Sequence, residues 1–178
     1  MTDLAEGTSL HLLTIGMIHT GLENTVAIME KAKAQAAGSD LSLSKLLEAR
    51  LHPDMFNLLQ QLQYMAYLSV DFARHLTSAP PPRVGYDEAT WEELHKSLET
   101  AADYLAQVSP AKLSAQASQI IPTFMDDKRG MTVLDYAAKV IVPDFHFHMV
   151  IAYGLLRQQG ISIGKSDYLG ALKTVALI

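Results

Sequence analysis

The stretch Val142-Pro143-Asp144-Phe145-His146-Phe147-His148-Met149-Val150 places two histidines and an aspartate inside an apolar run near the end of this 178-residue chain. Proline suits the first turn of an α-helix, and an aspartate there complements the helix dipole. We therefore predict that a helix kinks, or ends and restarts, at Pro143. The restarted helix continues to about Gln159, with Gly160 as its stop.

Helical periodicity assigns one apolar face to this stretch. The face that carries Phe145 also carries the apolar side chains of Met149, Ala152 and Leu156. His148 lies near that face, whereas His146 points about 200° away from His148 on a helix. The two histidines therefore cannot bind one metal together. The chelating i, i+4 spacing that the helix offers joins Asp144 to His148.

Three interpretations of Asp144 and His148 follow from this spacing. The favoured one is structural, because a buried imidazole needs a hydrogen-bond partner and an acid is expected in the first turn. The second is a weakly bound divalent metal (Zn, Ni or Fe), since sites without cysteine commonly use imidazole and carboxylate ligands. The third is acid–base catalysis by His148 without a metal.

Three further long amphipathic helices precede this one. Periodicity and helix-stop signals predict them at residues 8–37, 53–79 and 87–108, with a short helix at 40–50. The prolines that follow Ala79 cannot continue a helix and begin a rigid connection. The pattern predicts an all-α fold, an antiparallel four-helix bundle forming a single domain over residues 1–178.

A small insertion interrupts the helical pattern before the last helices. Ile120-Ile121-Pro122-Thr123-Phe124 is short and β-like, and Asp126-Asp127-Lys128-Arg129-Gly130 has the composition of a turn. These residues predict a short hairpin or an extended loop. Thr132 and Asp135 then fit the N-cap and N3 positions of a new helix.

The first helix carries two apolar stripes. The core-type stripe is Ile15, Ile18, Leu22, Val26 and Met29, and the other is Leu10, Leu13, Met17 and Ile28. A second stripe needs a second partner. That partner is either another subunit, giving a homodimer, or other loops of the same chain.

Composition and charge exclude several classes of protein. The formal net charge is −5, with no cluster of Lys and Arg, so we expect no nucleic-acid partner. The absence of cysteine excludes disulfides and thiolate chemistry. Residues 1–9 do not resemble a signal peptide, and no apolar stretch is expected to span a bilayer. We therefore expect a cytoplasmic protein without a membrane partner.

A polar line follows the second long helix beside its apolar stripe. Its members are Gln60, Gln63, Tyr67, Asp71 and Arg74. Such a line is usually the solvent-exposed face of an amphipathic helix. The alternative is that Gln63 and Tyr67 line a small-molecule cleft opposite His148 and Tyr153, where helical bundles build their sites.

The sequence resembles a branch of the DinB/YfiT-like superfamily that is described as a domain of unknown function. The resemblance rests on Arg50-Leu51-His52-Pro53-Asp54-Met55-Phe56, on Pro143-x-Phe145-x-Phe147-His148, and on Gly160-Ile161-x-Ile163-Gly164-Lys165. These motifs occur in the same order and span nearly the whole chain.

The resemblance implies a four-helix bundle, often dimeric, descended from metalloenzymes with three histidine ligands. His148 falls on one ligand position and Asp144 on another, while the second helix offers Gln63 or Tyr64, and Tyr67 stands where the branch has an acid. An amide or a phenol is a poor replacement for imidazole. We therefore expect a degenerate metal site with a small-molecule cleft. The alternative is a divalent-metal-dependent hydrolase or thiol transferase that uses His148 and Asp144.

Overall fold

The computed structural model describes residues 9–123, 126–172, 174 and 176. The described chain is mostly helical, with a small two-stranded antiparallel sheet. The helices are α1 (Met17–Ala37), α2 (Leu43–Glu48), α3 (Leu58–Ala73), α4 (Trp91–Leu105), α5 (Pro110–Gln116), α6 (Val133–Tyr136), α7 (Val142–Gln158) and α8 (Lys165–Leu169). The strands are β1 (Ile120–Thr123) and β2 (Asp126–Thr132). Two π-helical turns, Leu12–Gly16 and Ala137–Ile141, lead into α1 and α7.

The long helices pack around one apolar core. Helix α3 contacts α4 and α7, and α1 contacts the same two helices. The core includes the fully buried side chains of Ile18, Leu22, Leu62, Phe72, Leu98 and Phe145. Burial of aliphatic and aromatic side chains of this size stabilises a fold by about 1.5–3 kcal/mol each.

Two of the predicted helix starts were wrong because stronger caps lie further along the chain. Helix α3 begins after Asn57, which forms a reciprocal capping box with Gln60, and not at Pro53. The residues between form a turn in which the Arg50 guanidinium donates to the carbonyls of Pro53 and Met55 at 3.1 and 2.8 Å. Helix α4 begins in the same way, after a capping box of Thr90 and Glu93 and not at residue 87.

The hairpin is confirmed, but its turn residues were misassigned. Residues 126–130 belong to β2, which pairs antiparallel with β1 and places Pro122 opposite Gly130. A Cβ atom on Gly130 would lie 2.5 Å from Ile120 Cγ2 and 2.7 Å from the Ile121 carbonyl oxygen. The glycine therefore marks a close strand approach, not a turn. Phe124 lies outside the described residues.

The break expected at Pro143 takes the form of a π-helical turn. Thr132 Oγ1 accepts from the Asp135 N–H at 3.0 Å, and the chain stays helical from Val133 to Gln158. The wider turn at Ala137–Ile141 directly precedes Pro143. Proline lacks an N–H and crowds the preceding turn, and the wider π turn accommodates Pro143 without ending the helix.

Helix α1 and the turn before it form a continuous helix, Ser9–Ala37, that is long and apolar enough to cross a membrane by length and composition. This corrects the expectation that no stretch reaches that length. Ile15, Ile18 and Leu22 are nevertheless buried in the core. Of the second stripe, Ile28 is also buried, whereas Leu13 and Met17 are exposed. The two stripes are therefore only partly separate.

Candidate functional site

His148 lies at the centre of the candidate site, on the side of α7 that faces α3. Its side chain is nearly buried, and Nδ1 lies 2.5 Å from Gln61 Oε1. The Gln61 amide nitrogen donates to the Phe56 carbonyl at 3.1 Å, which leaves Oε1 as the acceptor. The proton is thereby assigned to Nδ1, and the lone pair of Nε2 is directed away from Gln61.

Asp144 lies one helical turn before His148, and the two side chains meet. Asp144 Oδ1 is 3.4 Å from His148 Nε2, and Asp144 Oδ2 is 3.4 Å from Tyr64 Oη. Burial lowers the pKa of His148, and Asp144 opposes this shift only partly. Burial, followed by the charge of Asp144, raises the pKa of the Tyr64 phenol. At neutral pH the site therefore holds a neutral imidazole and a protonated phenol.

Aromatic rings surround the imidazole. The Tyr64 ring centroid lies 4.5 Å from that of His148, Phe56 stacks at 5.9 Å, and Phe147 meets it edge-on at 5.3 Å. Phe56 and Phe147 are 42% and 55% exposed. The polar pair therefore lies beneath an aromatic rim that reaches the surface.

The other residues predicted for the cleft have their own partners, and Tyr67 also packs against Tyr64, with ring centroids 5.9 Å apart. Gln63 Nε2 donates to the Glu88 carbonyl at 2.8 Å, and the Tyr67 ring packs edge-on against Tyr86. Tyr153 packs against Tyr168, with ring centroids 5.9 Å apart. The structure thus brings Asp144 and His148 together and joins neither Gln63, Tyr67 nor Tyr153 to them by a hydrogen bond. Their binding roles stay predictions.

Sequence reasoning missed Gln61 and Phe56 as the groups that hold His148. Gln61 lies on the same face of α3 as Leu58, Leu62 and Met65, and it is 1% exposed. A polar side chain on an apolar helix face needs a partner, and that was the available signal.

His146 lies on another side of α7. Its Nδ1 is 3.2 Å from Tyr168 Oη, and burial lowers its pKa. It lines an apolar groove of about 310 Å³ between α1, α7 and α8, together with Met17 and Met149. The two histidines of the motif thus serve different surfaces, as their spacing predicted.

A divalent metal would find two protein ligands at the site. Across residues 9–123 and 126–172, no three His, Asp or Glu side chains converge as a metal-binding group. Gln61 and Tyr64 are the nearest additional oxygen donors, one a neutral amide and the other a protonated phenol. Neither substitutes well for a third imidazole.

The comparisons with known proteins agree with the fold and the motifs. Residues 10–169 match the family described as "Domain of unknown function (DUF1993)". The crystal structure of a DinB family member protein from Shewanella denitrificans is similar at a TM-score of 0.84 and 30% identity, over 98% of this chain and 99% of that chain. No curated protein matches. The chain therefore belongs to the DUF1993 family and has a DinB-like fold.

Proposed function

We propose that this protein is a DinB-like four-helix bundle with a degenerate, two-ligand position for a divalent metal and a small-molecule cleft beside it. The observation that carries the proposal is the 3.4 Å separation of His148 Nε2 and Asp144 Oδ1, with Nδ1 already committed to Gln61. The contacts of α3 with α4 and α7, and of α1 with the same helices, support the bundle.

The 3.4 Å distance between His148 Nε2 and Asp144 Oδ1 suits a shared metal ion better than a hydrogen bond. Two ligands at about 2.1 Å from a tetrahedral zinc ion lie about 3.4 Å from each other. Metal-binding histidines usually donate their second ring N–H to an oxygen, as His148 does to Gln61. His148 and Asp144 would hold the ion, which would supply a Lewis acid and a bound water of lowered pKa.

The same geometry supports weak binding. Two ligands leave the remaining positions to water, and a protonated Tyr64 adds no charge. The exposed rings of Phe56 and Phe147 contact the His148 imidazole, which supports a small apolar or aromatic ligand beside it. A metal-dependent hydrolase or thiol transferase is the alternative and would need additional ligands from the substrate.

Metal binding tests this proposal. Protein purified without a nickel column is titrated with Zn²⁺ or Co²⁺ by calorimetry, and we expect weak binding with one ion per chain that His148→Ala abolishes. His19→Ala is the matched control, because His19 Nδ1 also lies 3.4 Å from a carboxylate oxygen four residues away, on Glu23. Equal loss in both variants, or no binding at millimolar metal, contradicts the proposal. Tight stoichiometric metal that survives purification favours the enzyme.

A homodimer in the cytoplasm completes the proposal. Leu12, Leu13 and Met17 form an exposed apolar patch at the start of the first helix, which supports a second copy of the chain as its cover. We expect light scattering to give about twice the mass of one chain. A monomer at high concentration contradicts the dimer.

A further inference from the structure

A second cavity lies beside α3, against the connection that leads to α4. Its volume is about 470 Å³, within the range of small-molecule sites. Tyr67, Asp71 and Arg74 of α3 form one wall, and Arg83 and Tyr86 of the connection form the other. Two guanidinium groups and two phenol rings therefore line one cleft in a protein of net negative charge.

The connection between α3 and α4, which forms the outer wall of the cleft, is held by a hydrogen bond at each end. Tyr104 Oη donates to the Ala79 carbonyl at 2.8 Å where the connection leaves α3. Gln63 Nε2 donates to the Glu88 carbonyl at 2.8 Å where it approaches α4. Prolines 80–82 stiffen the segment between these anchors.

Gly85 brings this wall against the backbone of α3. Its φ is +78°, and a Cβ atom there would lie 2.4 Å from the Gln63 carbonyl oxygen and 2.7 Å from Tyr67 Cβ. The Gly85 N–H donates to Glu88 Oε1 at 2.8 Å. The connection is thus fixed in place and the cleft is preformed, which lowers the entropic cost of binding a ligand.

Both arginines retain donors for a ligand. Arg74 uses Nε to donate to Asp71 Oδ1 at 2.8 Å, and Asp71 is nearly buried, so this pair orients the guanidinium. Arg83 pairs with Asp87, and both side chains are more than 70% exposed. An exposed ion pair is screened by water and weak, so an anion in the cleft can compete with Asp87.

The aromatic groups add a surface for a ring. Tyr67 and Tyr86 meet edge-on at 5.6 Å, and the Arg83 guanidinium lies 5.7 Å from the Tyr86 ring centroid. Burial, with the charge of Asp71, raises the pKa of Tyr67, which keeps its hydroxyl a donor. Within the described part of the chain this hydroxyl has no hydrogen-bond partner.

We propose that this cleft binds a small aromatic carboxylate, with its carboxylate on Arg74 and Arg83 and its ring against Tyr86. Arginine recognises a carboxylate through paired N–H donors, and a phenol ring offers an edge or a face to an aromatic ligand. The proposal concerns a different surface from His148 and does not depend on a metal there.

Three probes of related shape test the ligand class by calorimetry or ligand-observed NMR. We expect 4-hydroxybenzoate to bind at least about tenfold more tightly than either 4-hydroxybenzamide or acetate. The benzamide is neutral and lacks the carboxylate charge, and acetate lacks the aromatic ring. Equal binding of the amide, equal binding of acetate, or no binding of 4-hydroxybenzoate overturns the proposal.

Variants then test the residues. Arg83→Ala is exposed and expected to fold, and we expect it to weaken 4-hydroxybenzoate about tenfold or more. Arg74→Lys keeps the charge beside Asp71 and should also weaken binding, whereas Asp87→Asn frees Arg83 and should strengthen it. Arg157→Ala, on the exposed end of α7, is the control and should change nothing. Unchanged affinity in Arg83→Ala and Arg74→Lys overturns the proposal.

Discussion

Two histidine–carboxylate pairs in this protein share a spacing and a distance and differ in their surroundings. His148 with Asp144 on α7, and His19 with Glu23 on α1, are both four residues apart and both approach to 3.4 Å. The side chains of the first pair are 10% and 26% exposed, and those of the second 30% and 61%. His148 also has Gln61 on its second ring nitrogen.

The difference shows that spacing alone does not make a site. An exposed pair is screened by water and contributes about 0–1 kcal/mol. A buried imidazole that is oriented from its other side has one defined tautomer and a lone pair in a fixed place. The comparison can be tested residue by residue.

The largest expected effect is on the free energy of unfolding when each histidine is removed. His148→Ala leaves a cavity and an unpaired Gln61 oxygen, so we expect a loss of about 2–4 kcal/mol. His19→Ala should stay within about 0.5 kcal/mol of the wild type. Urea unfolding of both variants measures the difference. A loss of the same size in the two would remove the distinction between the pairs.

A smaller effect is expected when the partner of each histidine is changed. Gln61→Leu removes the acceptor from His148 and the donor from the Phe56 carbonyl, at a cost of about 1–3 kcal/mol, and should weaken metal binding about 10–100-fold. Glu23→Ala serves as the control and should cost less than about 0.5 kcal/mol. If Gln61→Leu bound metal as tightly as the wild type, the amide would have no orienting role.

The smallest expected effect is on the dependence of stability on pH. Because burial lowers the pKa of His148 in the folded protein, the unfolded chain binds more protons below about pH 6.5. Stability should therefore fall as the pH falls from 7 towards 5. His146 and His75 contribute with the same sign, since burial lowers their pKa values too.

Unfolding at several pH values, in the wild type and in His148→Gln, measures this contribution. We expect a shallower fall in the variant than in the wild type. A wild type that becomes more stable on acidification over this range would contradict the assignment of a neutral, buried His148.

The sequence predicted the helices and the hairpin because periodicity and turn residues are local signals. It placed the start of α3 at Pro53 because proline favours a first turn. The helix begins after Asn57 instead, because the reciprocal capping box of Asn57 and Gln60 satisfies two backbone N–H groups. The sequence predicted the approach of Asp144 to His148, since both lie on one helix. It did not identify Gln61, because the rotation of α3 against α7 depends on packing across the core.

The π-helical turn Ala137–Ile141 determines the direction in which the side chains of α7 point about the helix axis. One residue of a helix corresponds to about 100° of rotation about the axis. A relative that had lost a single residue here, and formed a plain α-helical turn, would direct the residue at position 148 away from Gln61 without any substitution in the histidine motif. In this family, a one-residue deletion before the histidine motif would therefore separate His148 from Gln61 as effectively as replacing the histidine.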